Sequence, residues 1–268
     1  MKPPTYVVGD VHGYLDTLVA LLRAERLLNS GLEWAGDNAT LVFMGDYVDI
    51  GPDGVGVIDL VMRLQKQATR AGGEVLALLG NHDVAILSAY YASRLLFPAS
   101  PWTADFYSDW LRFGRPSDLE RLTTAHVSWM AVLPAMLLVD DRRFIHADSL
   151  VYYDYGKTAP EVNKAFRTLL RNRDPEAWSK LLNRFAERGA FADANPAGKE
   201  NALHFLAQYN GHGIVHGHTA ITRMTGQRYE DVTAPLVYAG GLCTNVDGGI
   251  HRGGPGFVYR LPSLTDIE

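Results

Sequence analysis

Three times in its first third, this chain runs through a short apolar stretch, meets a glycine, and then presents a side chain able to hold a metal ion. Thr5-Tyr6-Val7-Val8 leads into Gly9-Asp10, Leu41-Val42-Phe43-Met44 into Gly45-Asp46, and Val75-Leu76-Ala77-Leu78-Leu79 into Gly80-Asn81. Continuous apolar runs of this length suit strands covered on both faces. Each is followed by residues at helical spacing: Leu15, Leu18, Val19, Leu22 and Leu27; then Val57, Ile58, Val61, Met62 and Leu64; then Val84, Ile86, Leu87 and Tyr90. Strand, loop and helix repeated in this way predict an α/β fold with neighbouring parallel strands. In such sheets ligands gather beyond the carboxyl ends of the strands, which places the three glycine corners together.

The rest of the chain is less regular. From about Pro98 to Trp129 aromatic residues crowd together (Trp102, Phe106, Tyr107, Trp110, Phe113), with Pro101 and Pro116 as breaks. This reads as a helical insertion over the sheet edge, serving as extra core or as a lid. Strands are expected over Ala135–Val139, Arg143–Ile145, Gly213–His216, Leu236–Ala239, Thr244–Asp247 and Phe257–Leu261. Helices are expected over Glu161–Leu170, Glu176–Glu187 and Lys199–Tyr209. The whole, residues 1–268, reads as one domain.

Composition removes several classes of function. A net charge of −5 and a pI near 6.0 argue against binding nucleic acid through a basic surface. The single cysteine, Cys243, cannot build a disulfide framework, a cysteine zinc site or an intrachain redox pair, and reads as a small buried hydrophobe. Apolar runs are too short and too often broken by charges to span a membrane, and Met1-Lys2-Pro3-Pro4 precedes the first strand without a signal segment. A cytoplasmic location is expected.

Six residues share the strand-end position and metal-binding chemistry: Asp10, His12, Asp46, Asn81, His146 and His218. Asp10 and His12 lie two apart past a strand, so both can project the same way. Asp46 can bridge two ions, one oxygen to each, and the mixed carboxylate and imidazole set suits divalent transition metals. Turn chemistry alone explains glycine and aspartate but not the histidines.

Gly9-Asp10-Val11-His12-Gly13, Gly45-Asp46-Tyr47-Val48-Asp49 and Gly80-Asn81-His82-Asp83 resemble the three signature blocks of the calcineurin-like metallophosphoesterases, and most nearly those of the phosphoprotein phosphatase branch. Ile145-His146-Ala147-Asp148 and Val215-His216-Gly217-His218-Thr219 resemble the later histidine blocks of its bacterial and phage members. The resemblance implies a β-sandwich flanked by helices and two divalent metal ions, manganese foremost, with iron or zinc as alternatives. One ion would be held by Asp10, His12 and Asp46, the other by Asp46, Asn81, His146 and His218. His82 would be the general acid and Asp49 its orienting partner. The substrate would be a phosphoprotein or small phosphoester, with no nucleic-acid or membrane partner expected.

The sequence departs from that pattern in three places. Ile50 stands where the branch carries a phosphate-gripping arginine, Leu79 replaces another arginine, and Asp83 replaces the commoner glutamate. Arg188 sits roughly where the branch has a later substrate arginine, with Arg171 and Arg173 as competitors. His216 is expected to point away from the site, and His126, His204, His212 and His251 to be ordinary surface or core residues. The leading function is two-metal hydrolysis of phosphomonoesters of the serine/threonine protein phosphatase type. The alternatives are hydrolysis of dinucleoside polyphosphates or other phosphodiesters and, supported only by Ile50, a catalytically weak phosphate-binding scaffold.

Overall fold

The computed structural model describes residues 3–262. Four strands, β1 (Thr5–Val8), β2 (Thr40–Phe43), β3 (Glu74–Ala77) and a late antiparallel partner, β9 (Val258–Arg260), form the first sheet in the order β3-β2-β1-β9. As the three corners require, β1, β2 and β3 run parallel, in register from Thr5 opposite Thr40 and Thr40 opposite Glu74. The second sheet takes β4 (Met136–Val139), β5 (Arg142–Ile145), β6 (Gly213–His216), β7 (Leu236–Tyr238) and β8 (Cys243–Asn245) in the order β4-β5-β6-β8-β7. Its three central strands are parallel and both edge strands antiparallel. The last strand, β9 (Val258–Arg260), closes the first sheet beside β1.

Side-chain alternation along the strands sorts the core into layers. Val7, Val42 and Leu78 point inward and meet Phe144, Val215 and Val246 of the second sheet in a thin layer between the two. Val8, Leu41, Phe43, Val75 and Ala77 point outward, into a larger core under the helices. This is the sandwich that the resemblance implies.

Helices α1 (Leu15–Ala24), α2 (Gly54–Ala71) and α3 (Asn81–Ser93) follow β1, β2 and β3. Asp53 caps α2 by accepting the Gly56 N–H at 2.8 Å, and Gly72 ends it in the left-handed conformation. The aromatic segment forms α4 (Pro101–Trp110), α5 (Pro116–Arg121) and α6 (Thr124–Met130). It does not cover a sheet edge, as its sequence suggested, but packs on α2 and α3. Its apolar side chains find partners there: Phe97 and Phe106 join Tyr91 and Trp178 in an aromatic cluster that ties α3 and α4 to a later helix. Helices α7 (Ala159–Arg171), α8 (Pro175–Phe185) and α9 (Gly198–Tyr209) fall close to the expected ranges, and α10 (Ile221–Thr225) follows β6.

Candidate metal centre and cleft

The corners interlock through their backbones. The His12 N–H donates to Asp46 O at 2.8 Å and the Gly13 N–H to Tyr47 O at 2.9 Å. Asp83, fully buried at the start of α3, then binds the second corner to the third. Its carboxylate accepts the N–H groups of Asp46 (3.0 Å), Tyr47 (3.0 Å) and Gly80 (2.8 Å). Aspartate in place of glutamate therefore builds a backbone clamp. Burial raises its pKa to about 7, with the Asp46 charge adding to the effect. Two glycines are required by space: a Cβ on Gly80 would stand 2.1 Å from Asp46 Oδ1, and one on Gly217 2.2 Å from Asp10 Oδ1.

Three histidines are aimed by their backbone partners. His146 Nδ1–H donates to Met44 O (2.8 Å), His12 Nδ1–H to Val48 O (3.3 Å), and His218 Nε2–H to Ala186 O (3.3 Å). In His12 and His218 the other ring nitrogen is left as a lone pair, the arrangement that second-shell contacts give to metal-binding imidazoles, while Nε2 of His146 faces the oxygens of Asp46 and Asn81. Asp46 lies among them, with Oδ1 3.4 Å from His146 Nε2 and Oδ2 3.7 Å from His12 Nε2. Asn81 Oδ1 is 3.0 Å from His146 Nε2. The ligand atoms of Asp46, His146 and His218 lie within 4.8 Å of one another, as do those of Asp46, His12 and His82. Asp10 is in neither group. Its Oδ2 accepts the His218 N–H at 2.9 Å, while Oδ1 is buried without a hydrogen-bond partner among the described residues.

The electrostatics are those of a site short of positive charge. Burial and Asp247 hold the Asp10 carboxyl well above the usual carboxylate range. Burial would also raise Asp46, but His146, His82 and His12 together hold it well below that range. His146 opposes its own burial through Asp46 and is pushed up to about 10. Burial and the neighbouring His82 bring His12 down to about 3, and burial with His146 holds His218 low as well. An unpartnered buried oxygen, a carboxylate between imidazoles and aimed nitrogen lone pairs form a donor set that fits divalent transition cations.

Beside this set, His82 Nδ1 is 3.0 Å from Asp49 Oδ2, and Asp49 is fully buried. The other oxygen of Asp49 accepts the indole N–H of Trp110 at 2.8 Å. Burial would lower His82, but Asp46 and Asp49 raise it. His82 also stands edge-on to Phe113 (4.6 Å) and to His12 (4.7 Å). His82 and Asn81 open onto a cavity of about 490 Å³, whose walls include Trp102, Phe106, Trp110 and Phe113 from the insertion. The insertion is thus core on one side and cleft wall on the other.

Arg188 lines the same cavity. Its loop is fixed by buried Asp148, which accepts the Gly189 N–H (2.7 Å) and the Thr219 hydroxyl (2.5 Å). Neither competitor lines that cavity; Arg173 stacks on the Tyr91 ring at 3.8 Å. Ile50 and Asp49 both adopt left-handed φ values, 62° and 69°. The Ile50 carbonyl accepts from Arg115 Nε at 3.0 Å. His216 is buried away from the site, with Nε2 2.7 Å from the Tyr238 hydroxyl. His251 was expected to be an ordinary residue, yet its ring stands 4.7 Å from that of His12. Sequence reasoning gives no site role to Trp110, Asp148 or Asp247, although Asp148 closes the fourth motif block and Asp247 is an acid at a strand end followed by two glycines.

A family profile described as calcineurin-like phosphoesterase matches residues 3–221. The chain belongs to the calcineurin-like phosphoesterase family. The family uses a dinuclear metal site. Shewanella-like protein phosphatase 1 of Plasmodium berghei is 34% identical over 84 residues, 31% of this chain and 23% of that protein. A symmetrical bis(5'-nucleosyl)-tetraphosphatase of Bordetella parapertussis is 29% identical over 171 residues, 62% of this chain and 52% of that protein. The chain therefore spans only part of the length of these curated relatives. The cold-active protein-tyrosine phosphatase of a psychrophilic Shewanella species superposes with a TM-score of 0.69 at 23% identity, over 96% of this chain and 75% of that one. At that identity the likeness speaks for the fold. This calcineurin-like phosphoesterase has no helix among its described residues long and apolar enough to cross a membrane.

Proposed function

We propose that this calcineurin-like phosphoesterase hydrolyses phosphomonoesters with two divalent cations, manganese foremost, as a protein phosphatase of the serine/threonine type. The observation that carries this reading is the His82–Asp49 pair at 3.0 Å, set between the convergent ligand groups and the cleft. Asp10, His12, Asp46, Asn81, His146 and His218 would hold the cations. When bound, the two cations draw charge from the phosphoryl oxygens and make water a stronger nucleophile. Water attacks phosphorus, the bond to the leaving oxygen breaks, and His82 gives that oxygen a proton from Nε2. Asp49 keeps the opposite Nδ1–H occupied and the ring protonated. Arg188 supplies from the cleft wall the guanidinium that Ile50 does not.

A dinucleoside polyphosphate is the second reading, favoured by the longer match to the tetraphosphatase. A carboxylate on the cleft wall, Asp105, speaks against it, because it would repel further phosphates on the leaving group; its neighbour Asp109 is paired with Arg112 at 3.2 Å. A scaffold would have no use for a proton donor, and the intact pair argues against that reading too. The test is the purified protein with Mn²⁺ on four substrates: an aryl phosphate, an aryl phosphodiester, a phosphoserine peptide and a dinucleoside tetraphosphate. Turnover of the two monoesters above the other two is expected. Preference for the tetraphosphate would overturn the assignment.

A further inference from the structure

Asp247 lies just beyond the end of β8, in Asn245-Val246-Asp247-Gly248-Gly249. It is 1% exposed and pinned on all sides. Its N–H donates to Asn245 Oδ1 (2.9 Å), its carbonyl accepts from the Ile221 N–H (3.0 Å), and its Oδ1 accepts from the Gly249 N–H (2.9 Å). Its Oδ2 is buried with no hydrogen-bond partner among the described residues. The first corner presses directly on this segment: a Cβ on Gly9 would stand 2.1 Å from Val246 O and 3.2 Å from Asp247 Cα. Asp10 leaves the backbone at the next residue, and its Oδ1 is likewise buried and without a partner. Two adjoining carboxylates each bury an oxygen that nothing donates to. Such an arrangement is unfavourable unless a cation completes it.

We propose that Asp247 is a seventh group of the metal centre, acting with Asp10 to hold the cation that His12 and Asp46 share. The first position is then rich in carboxylate, with a single imidazole. The second, with His146, His218, Asn81 and Asp46, is richer in imidazole. Hard oxygen donors favour cations such as Mn²⁺, and nitrogen donors favour those later in the transition series. Asp247 would therefore make the two positions unequal in the cations they prefer.

The inference rests on the two-cation reading of the site but not on any substrate. It is tested with the full-length Asp247→Asn protein, whose amide oxygen can still accept the Gly249 N–H. Co²⁺ binding is followed by absorption and equilibrium dialysis at pH 7.5. Loss of a group that supports metal ligands costs about 10–100-fold in affinity, and that loss is expected for one of the two Co²⁺ ions only. Melting temperatures give a second reading. The metal-free variant should melt above metal-free wild type, because a buried anion has gone, and the loaded variant below loaded wild type, because a cation has lost its partner. A residue with only a packing role would shift both forms the same way. Unchanged affinity for both ions, or a metal-free variant destabilised like the loaded one, overturns the proposal. Should the Asn variant not fold, Asp247→Ser, which also offers an acceptor to Gly249, carries the same measurements. A protein that binds two Co²⁺ ions yet hydrolyses none of the four phosphate esters would retain this inference and lose the proposed activity.

Discussion

Trp110→Phe removes one N–H from the site and little else. The ring stays apolar and buried, but Asp49 Oδ1 loses the donor at 2.8 Å. A hydrogen bond to a charged group contributes about 1.5–3 kcal/mol, which corresponds to a factor of roughly 10–100. Burial already raises the Asp49 carboxyl and the indole bond opposes that rise, so without the indole Asp49 shifts further toward its neutral form, a poorer partner for protonated His82. The loss should appear where a proton must reach the leaving oxygen. Turnover of an alkyl phosphate such as a phosphoserine peptide should fall about 10–100-fold. Turnover of p-nitrophenyl phosphate, whose leaving group needs little protonation, should fall far less. The assay is steady-state kinetics on the two substrates for wild type, Trp110→Phe and His82→Ala, with melting temperatures to confirm folding. Equal losses on both substrates, or none on the alkyl ester, would refute the chain of contacts from Trp110 through Asp49 to His82.

Asp46→Asn should weaken binding of both cations, because Asp46 lies in both convergent groups; equilibrium dialysis that still finds two tightly held ions would remove it as the bridge. If Arg188 serves in place of Ile50, Arg188→Ala should raise the Michaelis constant for phosphomonoesters about 10–100-fold while Ile50→Arg changes little, and two silent substitutions would defeat that assignment. His146, pushed up to about 10 in the metal-free protein, carries a proton at pH 7 where a cation needs its lone pair. Metal uptake should therefore release protons, and affinity should rise about tenfold per pH unit below pH 10. Mn²⁺ calorimetry at pH 7 and 8, in buffers of different ionisation heat, measures this, and an affinity independent of pH would take His146 out of the site.

The parallel strands and their corners could be read in the sequence because the signal is local. An apolar run, a glycine and a polar side chain are neighbours in the chain, and the fold leaves them neighbours. His82 and Asp49 were accessible through motif resemblance alone, since nothing in their spacing says that the two side chains meet. In the sequence Trp110 is one aromatic residue among many. Its contact with Asp49 spans 61 positions and depends on α4 packing on α3. The density of aromatic residues in the insertion says that they need a surface to cover them, but not that the surface is α2 and α3 rather than a sheet edge. His251 falls beside His12 from the connection between β8 of the second sheet and β9 of the first, a meeting that no local pattern announces. Asp83 shows the opposite case: its position was evident, while its three backbone donors come from a corner 36 residues earlier and from its own helix start.

The groups proposed to hold the cations come from both sheets. Asp10, His12, Asp46 and Asn81 follow strands of the first, and His146 and His218 follow strands of the second. Between the sheets lies only the thin apolar layer around Val7, Val42, Phe144 and Val215. The cation that Asp46, Asn81, His146 and His218 would share is gripped from both sides, and it would cross-link the two sheets across that layer. Chelation would then remove a strut as well as a reagent. Amides of β5 and β6 should exchange with solvent sooner than those under the helices, and the halves of the sandwich should part along this seam before either half melts.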